Sequence, residues 1–282
     1  MQLPPWIKQR APAPGVLEQM KNMLDSLGLN TVCESAHCPN LGECFAKGTA
    51  TVMIMGDRCT RSCGFCAVGK GLPHPPDPNE PANVAAMVNK LDLKHVVITS
   101  VTRDDLEDGG ALQFAETVKA VKQKNAAVTV EVLIPDFKGS CASLEKVVET
   151  KPDIVNHNLE TVPRLYQKVR PQAQYARSLS LLGKVKKLDA AIYTKSGIMV
   201  GLGETTGEVI ALMEDLRGVG CDILTIGQYL RPSPLHLEIE DFIKPEIFGE
   251  YKTVAGKLGF KYVASSPLVR SSYNASDFFR TN

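Results

Sequence analysis

The stretch TVMIMGDRCTRSCGFC, residues 51–66, runs a strand straight into a cysteine cluster. Its first six residues are β-branched and apolar, the composition of a buried strand. Cys59, Cys63 and Cys66 then fall within eight positions, separated by three and then two residues. Similar strand patterns recur down the chain: KHVVITSVT (94–102), AVTVEVLIPD (127–136), PDIVNHNLE (152–160), IYTKSGIMVGLG (192–203) and CDILTIGQY (221–229). Amphipathic helical patterns lie between them: PANVAAMVNKL (81–91), GALQFAETVKAVKQK (110–124), CASLEKVVET (141–150), RSLSLLGKVKKL (177–188) and TGEVIALMEDLRGVG (206–220). The last has Thr205 and Thr206 at its start and Gly220 at its end, a cap pair. Strand and helix alternate about six times, which requires parallel strands joined by right-handed crossovers.

Six such units can close toward a barrel or stay an open sheet. No G-x-G-x-x-G follows the first strand, so a dinucleotide-binding sheet loses its main support. Polar residues instead collect just past the C-terminal ends of the strands: Thr99, Ser100 and Asp104; Asn156, Asn158 and Glu160; Lys195 and Glu204; Gln228, Tyr229 and Arg231. A (β/α) barrel builds its active site at that end.

Composition narrows the partners. The chain has 282 residues, 44% of them hydrophobic, enough for one large core or two small ones. A formal net charge of +1 offers no basic field, so nucleic acid is not expected as a partner. No apolar run approaches the roughly 20 residues of a membrane span, and no membrane partner is expected. The N-terminal MQLPPWIKQRAPAPG carries prolines and charges without an apolar core, so it does not read as a secretory signal, and the expected compartment is the cytoplasm. Eight cysteines there serve as ligands or buried thiols rather than disulfides.

Six of those eight lie between residues 33 and 66. Cys33, Cys38 and Cys44 form a first triplet with four and five residues between them; Cys59, Cys63 and Cys66 form the second. Structural zinc wants four N or S ligands, usually in C-x2-C pairs, and only Cys63 and Cys66 make such a pair. Thiolates also hold cubic iron–sulfur clusters, and three on a short loop leave one iron without a protein ligand, an open position suited to chemistry. Gly64, beside two of the cysteines, lets the backbone bend around a bulky cofactor. Cys141 and Cys221 stand alone and read as buried thiols. GKGLPHPPDPNEP (69–81) is a Pro-rich loop.

The second triplet, with Phe65 before its last cysteine, resembles the C-x3-C-x-aromatic-C signature of the radical S-adenosylmethionine superfamily. The first triplet, C-x4-C-x5-C, and the RSSY motif at Arg270, Ser271, Ser272 and Tyr273 are narrower and resemble the lipoyl synthase family. VTRDDLEDGGA (101–111), PDIVNHNLETVPRLY (152–166), TKSGIMVGLGET (194–205) and IGQYLRPSPLHL (226–237) resemble it too, so the likeness runs from about residue 30 to 274 with no departure at the six cysteines.

The resemblance implies an α/β fold, a partial (β/α)6 TIM-type barrel over 51–231, with an N-terminal extension (1–50) carrying the first triplet and a C-terminal extension (232–282) carrying RSSY. It implies two [4Fe–4S] clusters and S-adenosyl-L-methionine. One cluster, on Cys59, Cys63 and Cys66, would chelate the cofactor through its open iron and cleave it reductively to a 5′-deoxyadenosyl radical. The other, on Cys33, Cys38 and Cys44, would be the sulfur donor, with Ser271 as fourth ligand and Ser272 as the alternative. An alkoxide is a harder and more labile iron ligand than a thiolate, which suits a cluster that is consumed. The substrate implied is an octanoyl chain on a lysine of a lipoyl carrier domain, such as an E2 subunit or the glycine-cleavage H protein, taking sulfur at C6 and C8. A reductant such as ferredoxin or flavodoxin is implied, and a monomer is expected.

GIMVGLGE (197–204) resembles the G-x-I-x-G-x-x-E segment beside the adenosyl group, with Met199 in the isoleucine place. Phe65, Thr99, Asn158, Glu160, Lys195, Glu204 and Arg231 are the candidate cofactor contacts. His37 reads as a loop residue rather than a ligand. His74, His95, His157 and His236 have no partner spacing and read as structural, and Lys184, Lys186 and Lys187 as a solvated helix face. The rival readings are a biotin-synthase-like sulfur inserter and a non-enzymatic zinc-stapled binding protein.

Overall fold

Parallel strands covered on both faces are apolar along their whole length. The TVMI run obeys this: Thr51–Ile54 is a strand with all four residues buried. The structure is a computed structural model that describes residues 3–7, 16–35, 40, 51–273, 275 and 277–281. The chain divides into two compact units.

The first unit comprises Arg10–Arg61, Val68–Val155 and Asn274–Asn282. Helix α1 (Val16–Ser26) leads to a short strand β1 (Asn30–Thr31), then to α2 (Val32–Ser35). β1 pairs antiparallel with β2 (Thr51–Ile54), Asn30 opposite Met53. After β2, β3 (Arg58–Cys59) and β4 (Gly69–Lys70) form a small parallel pair at the two ends of the cysteine loop. The main ladder continues through α3 (Glu80–Lys90), β5 (His95–Ser100), α4 (Ala111–Lys124), β6 (Thr129–Leu133), α5 (Cys141–Val148) and β7 (Ile154–Asn156). β5 is parallel to both β2 and β6, and the order is β1-β2-β5-β6-β7. Val84, Met87, Phe114, Val118, Val121 and Val147 carry the apolar stripes of these helices and are fully buried. Cys141, expected as a buried thiol, is exposed. It is the first residue of α5, immediately after the Ser140 cap and outside the helix's apolar stripe.

The second unit comprises Met1–Gln9, Ser62–Ala67 and Asn156–Tyr273. It holds α6 (Tyr166–Val169), α7 (Tyr175–Leu188), β8 (Tyr193–Val200), α8 (Thr206–Gly218), β9 (Ile223–Gln228), α9 (Pro245–Lys257) and β10 (Tyr262–Ser265). β9 lies parallel between β8 and β10. The expected cap of α8 forms: Thr205 Oγ1 accepts the Glu208 amide (3.3 Å) and Glu208 Oε2 accepts the Thr205 amide (2.8 Å). Gly220 closes the other end with φ of 80°. Lys186 departs from the solvated-face reading: it pairs with Asp222 (2.5 Å), which also holds Lys261 (3.0 Å) and the Thr194 amide (3.0 Å). Cys221 is buried as expected, and burial pushes its thiol up to about 12.

Within 232–282, α9 and β10 add a further helix–strand step beyond the six that the apolar pattern announces, with Val263 opposite Leu224. Only Val263 of the four β10 residues is buried, so the run is too short and too polar to stand out. No described helix is long and apolar enough to cross a membrane.

Candidate active site

The cysteine loop is tied down from the first unit by its own Thr60 and Arg61. Thr60 Oγ1 donates to Thr102 O (2.8 Å) and accepts the Asp104 amide (3.0 Å). The buried Arg61 guanidinium forks onto Asp104 (2.7 and 3.0 Å) and reaches Asp136 (2.6 Å). Burial alone would lower the Arg61 pKa, but the two carboxylates outweigh it and hold the group charged. Upstream, Met55 turns the chain with φ of 67°, its amide gripped by both Glu80 oxygens (2.9 and 3.0 Å). These ties bring two amides onto one sulfur: Thr102 N–H (3.3 Å) and Arg61 N–H (3.5 Å) both donate to Cys59 Sγ. Amide donors to a ligating sulfur orient it and tune a bound iron.

In the second unit the loop is held through its backbone. Gly64 N–H donates to Val169 O (2.9 Å) and Gly64 O accepts Leu237 N–H (3.0 Å). Cys66 O lies 3.1 Å from His236 Nε2, and His236 Nδ1 lies 2.9 Å from Ser233 Oγ. A carbonyl only accepts, so Nε2 carries the proton and Nδ1 accepts from the serine hydroxyl. Arg231 folds this strap on itself, donating to His236 O (2.9 Å) and Pro234 O (2.5 Å). Tyr229 Oη donates to Leu237 O (2.8 Å).

The NHNLE stretch leaves β7 and bends beside β8. His157 N–H donates to Lys195 O (3.0 Å), and Glu160, at φ of 66°, bridges Ile198. Asn158 Nδ2 donates to Glu160 Oε1 (3.0 Å). Gly197 leaves room for this amide: a Cβ there would stand 2.9 Å from Asn158 Oδ1 and 2.7 Å from Thr225 Oγ1. Arg170, which no motif reading of the sequence singles out, lies over the same loop, donating to Asn158 O (2.8 Å) and Leu159 O (3.3 Å). Burial pushes the Glu160 carboxyl up, against the pull of Arg170, Asn158 and Arg270. Burial opposes the charge on Arg170, but Tyr166, Glu160 and Cys63 outweigh it and hold the guanidinium protonated. Cys63, Arg170, Glu160, Asn158 and the RSSY arginine therefore share one electrostatic neighbourhood.

Two buried atoms of that neighbourhood, the acceptor Asn158 Oδ1 and the donor Arg170 Nε, have no hydrogen-bond partner among the described residues. A zwitterionic amino-acid group needs one of each, so these residues fit the cofactor that the sequence implies. No three described His, Cys, Asp or Glu side chains stand close enough to hold a single metal ion. A cubic cluster makes a different demand, because each thiolate binds its own iron. The amide-donor set on Cys59 Sγ fits that role.

The other expected residues divide. Phe65 is half-buried in the loop, and Lys195 is buried in β8. Thr99 spends its hydroxyl proton on Leu133 O (3.0 Å). Both Glu204 oxygens accept amides of its own turn, Gly201 (2.5 Å) and Leu202 (2.9 Å). Arg231 is engaged by strap carbonyls and by Glu238 (3.5 Å). Ser271 and Ser272 are the middle residues of a turn closed by Tyr273 N–H on Arg270 O (3.0 Å). Cys38, Cys44 and His37 lie outside the described residues, and so does the Cys33 side chain.

Fold and cysteine loop define a radical S-adenosylmethionine protein. The pattern of the radical SAM superfamily matches residues 53–216. Among solved structures the fold is similar to the methylornithine synthase PylB (TM-score 0.55, 14% identity, 76% of this chain and 70% of that one). It is also similar to the FeFe-hydrogenase maturase HydG from Carboxydothermus hydrogenoformans (TM-score 0.59, 13% identity, 81% and 65%). Sequence relatives go further. The chain is 60% identical over 272 residues to the lipoyl synthase of Caldanaerobacter subterraneus subsp. tengcongensis, covering 96% of this chain and 95% of that one. It is 57% identical over 274 residues to that of Alkaliphilus metalliredigens, covering 97% and 94%. The chain belongs to the lipoyl synthase family.

Proposed function

We propose that the chain inserts sulfur at C6 and C8 of an octanoyl chain amide-linked to a lysine of a lipoyl carrier domain, the last step of lipoate biosynthesis. The architecture proposed for it is the partial (β/α)6 barrel, working in the cytoplasm as a monomer with a ferredoxin- or flavodoxin-type reductant. The observation that carries this reading is that the Asn158–Glu160–Arg170 group leaves one buried acceptor, Asn158 Oδ1, and one buried donor, Arg170 Nε, without a hydrogen-bond partner among the described residues.

Cys59, Cys63 and Cys66 would hold one [4Fe–4S] cluster; Cys33, Cys38, Cys44 and Ser271 would hold the other. When bound, S-adenosylmethionine and the two clusters supply a carbon-centred radical and the sulfur. The chain's residues supply position. Thr102 and Arg61 amides hold the Cys59 sulfur in place and tune an iron bound to it. Arg170 offers its Nε donor to the cofactor carboxylate, and Asn158 offers Oδ1 to its amino group, while Glu160 takes a ribose hydroxyl. The strap from Tyr229 to Leu237 fixes the loop backbone, and a fixed loop sets the reacting atoms in near contact, where most of the rate advantage of an oriented reaction lies. Phe65, Thr99, Lys195, Glu204 and Arg231 would serve as wall and scaffold rather than as direct chemical groups.

The test pairs metal analysis with product analysis. Anaerobically purified protein should carry about eight irons per chain, two cubic clusters. Reduced, with S-adenosylmethionine and an octanoylated carrier peptide, it should give the dithiol product by mass spectrometry. Turnover of dethiobiotin with an inert octanoyl peptide would overturn the reading, and so would zinc in place of iron.

A further inference from the structure

The tail that carries the serine motif leaves β10 but stays on β9. Ser266 N–H donates to Ile226 O (3.2 Å) and Gln228 N–H to Pro267 O (3.1 Å), so pairing continues past the end of β10. Val269 N–H then returns to Ser266 O (3.1 Å), and Arg270 opens the second turn, whose middle residues are Ser271 and Ser272. Val269 is buried, and Arg270 Nη1 donates to its carbonyl (2.7 Å). That carbonyl lies directly on Gly227. A Cβ built at Gly227 would fall inside the contact shell of Val269 O, 3.0 Å from Val269 C and 3.2 Å from Arg270 Nη1.

The nearest obstacles are backbone atoms, so no rotamer change makes room. A glycine inside a strand weakens it and marks a close approach of other backbone. Here Gly227 sits between Ile226 and Gln228, both fully buried, and the approaching backbone is the serine-motif tail.

We infer that Gly227 is a positioning residue: the bare stretch of β9 is the seat that sets the height of the serine turn above the strand, and so the way Ser271 is presented as a ligand. This rests on the reading of Ser271 as an iron ligand. Any side chain at position 227 lifts Val269 and Arg270 and shifts the turn that carries Ser271. Gly207 is the matched control, since a Cβ there meets nothing within 4 Å.

The experiment compares Gly227→Ala, Ser271→Ala, Ser272→Ala and Gly207→Ala after anaerobic reconstitution. It reads iron and sulfide content, the Mössbauer spectrum, reductive cleavage of S-adenosylmethionine, and sulfur insertion. Gly227→Ala should keep the cluster of Cys59, Cys63 and Cys66 and cleave the cofactor normally. Its auxiliary cluster should be lost or spectroscopically altered, and sulfur insertion should fall about a hundredfold, the scale expected for a misplacement near 1 Å. Gly207→Ala should behave as the parent. Unaltered Mössbauer spectra and sulfur insertion in Gly227→Ala, with Ser271→Ala impaired, overturn the seat alone. Unaltered behaviour of both serine variants overturns the ligand reading instead. Should Gly227→Ala not fold, hydrogen exchange on the parent decides: a slow Gln228 amide supports the seat, and one exchanging at the unprotected rate overturns it.

Discussion

Arg170 illustrates how much a single residue contributes that its neighbours in sequence do not announce. No motif singles it out, yet the guanidinium donates to two carbonyls of the NHNLE loop, and Glu160 and Cys63 both favour its charge. Its Nε is the donor left over. A hydrogen bond between charged groups is worth about 1.5–3 kcal/mol, so Arg170→Lys should weaken S-adenosylmethionine binding roughly 10- to 150-fold. Lysine keeps the charge but not the planar fork. Equilibrium titration of the cofactor checks this, with iron content and melting temperature measured alongside. Binding as tight as the parent's would remove Arg170 from the cofactor site. Glu204 teaches the opposite lesson. Its G-x-x-E spacing suggests a cofactor contact, whereas its carboxylate closes its own glycine turn. Spacing identifies which residues converge, but the side-chain partners depend on backbone turns that spacing does not encode.

Among the elements, the six buried strands were legible because parallel strands are apolar on both faces and end in polar turns. The seventh, β10, was not, because its pairing comes from β9 rather than from its own apolar content. Nor was the strap of residues 229–237, whose order is built from backbone carbonyls. His236 had no partner spacing, since its partners are a serine three residues away and the carbonyl of Cys66. The strap yields its own prediction. His236→Ala removes one neutral hydrogen bond, worth about 0.5–1.5 kcal/mol, so cofactor cleavage should slow roughly 2- to 12-fold with iron content retained. His236→Gln, which can still donate to the Cys66 carbonyl, should restore most of the rate. The electron paramagnetic resonance line shape of the reduced cluster should shift in the alanine variant and return in the glutamine variant. Equal loss in both would mean that the ring's packing matters and the hydrogen bond does not.

For the molecule as a whole, the proposed reading gives the two cysteine triplets two iron–sulfur centres with separable duties, and that division rests on motif spacing alone. The second triplet has described contacts in each unit: two amides on Cys59 Sγ in the first, and in the second a strap on the loop of Cys63 and Cys66. The serine turn comes from the far end of the chain, so in the proposed assignment the auxiliary centre would take a ligand more than two hundred positions from its cysteines. Because the proposed ligand sets share no residue, removing one centre should spare the other. Cys63→Ala should lose cofactor cleavage and sulfur insertion together, because radical generation precedes every later bond change. Cys38→Ala should still cleave S-adenosylmethionine, with about half the iron, and insert no sulfur. The measurement is 5′-deoxyadenosine and thiol product quantified in the same reaction, with circular dichroism to establish that both variants are folded. If Cys38→Ala lost cofactor cleavage as completely as Cys63→Ala while folded, one shared centre would have to do both jobs, and the serine tail would have no second cluster to serve.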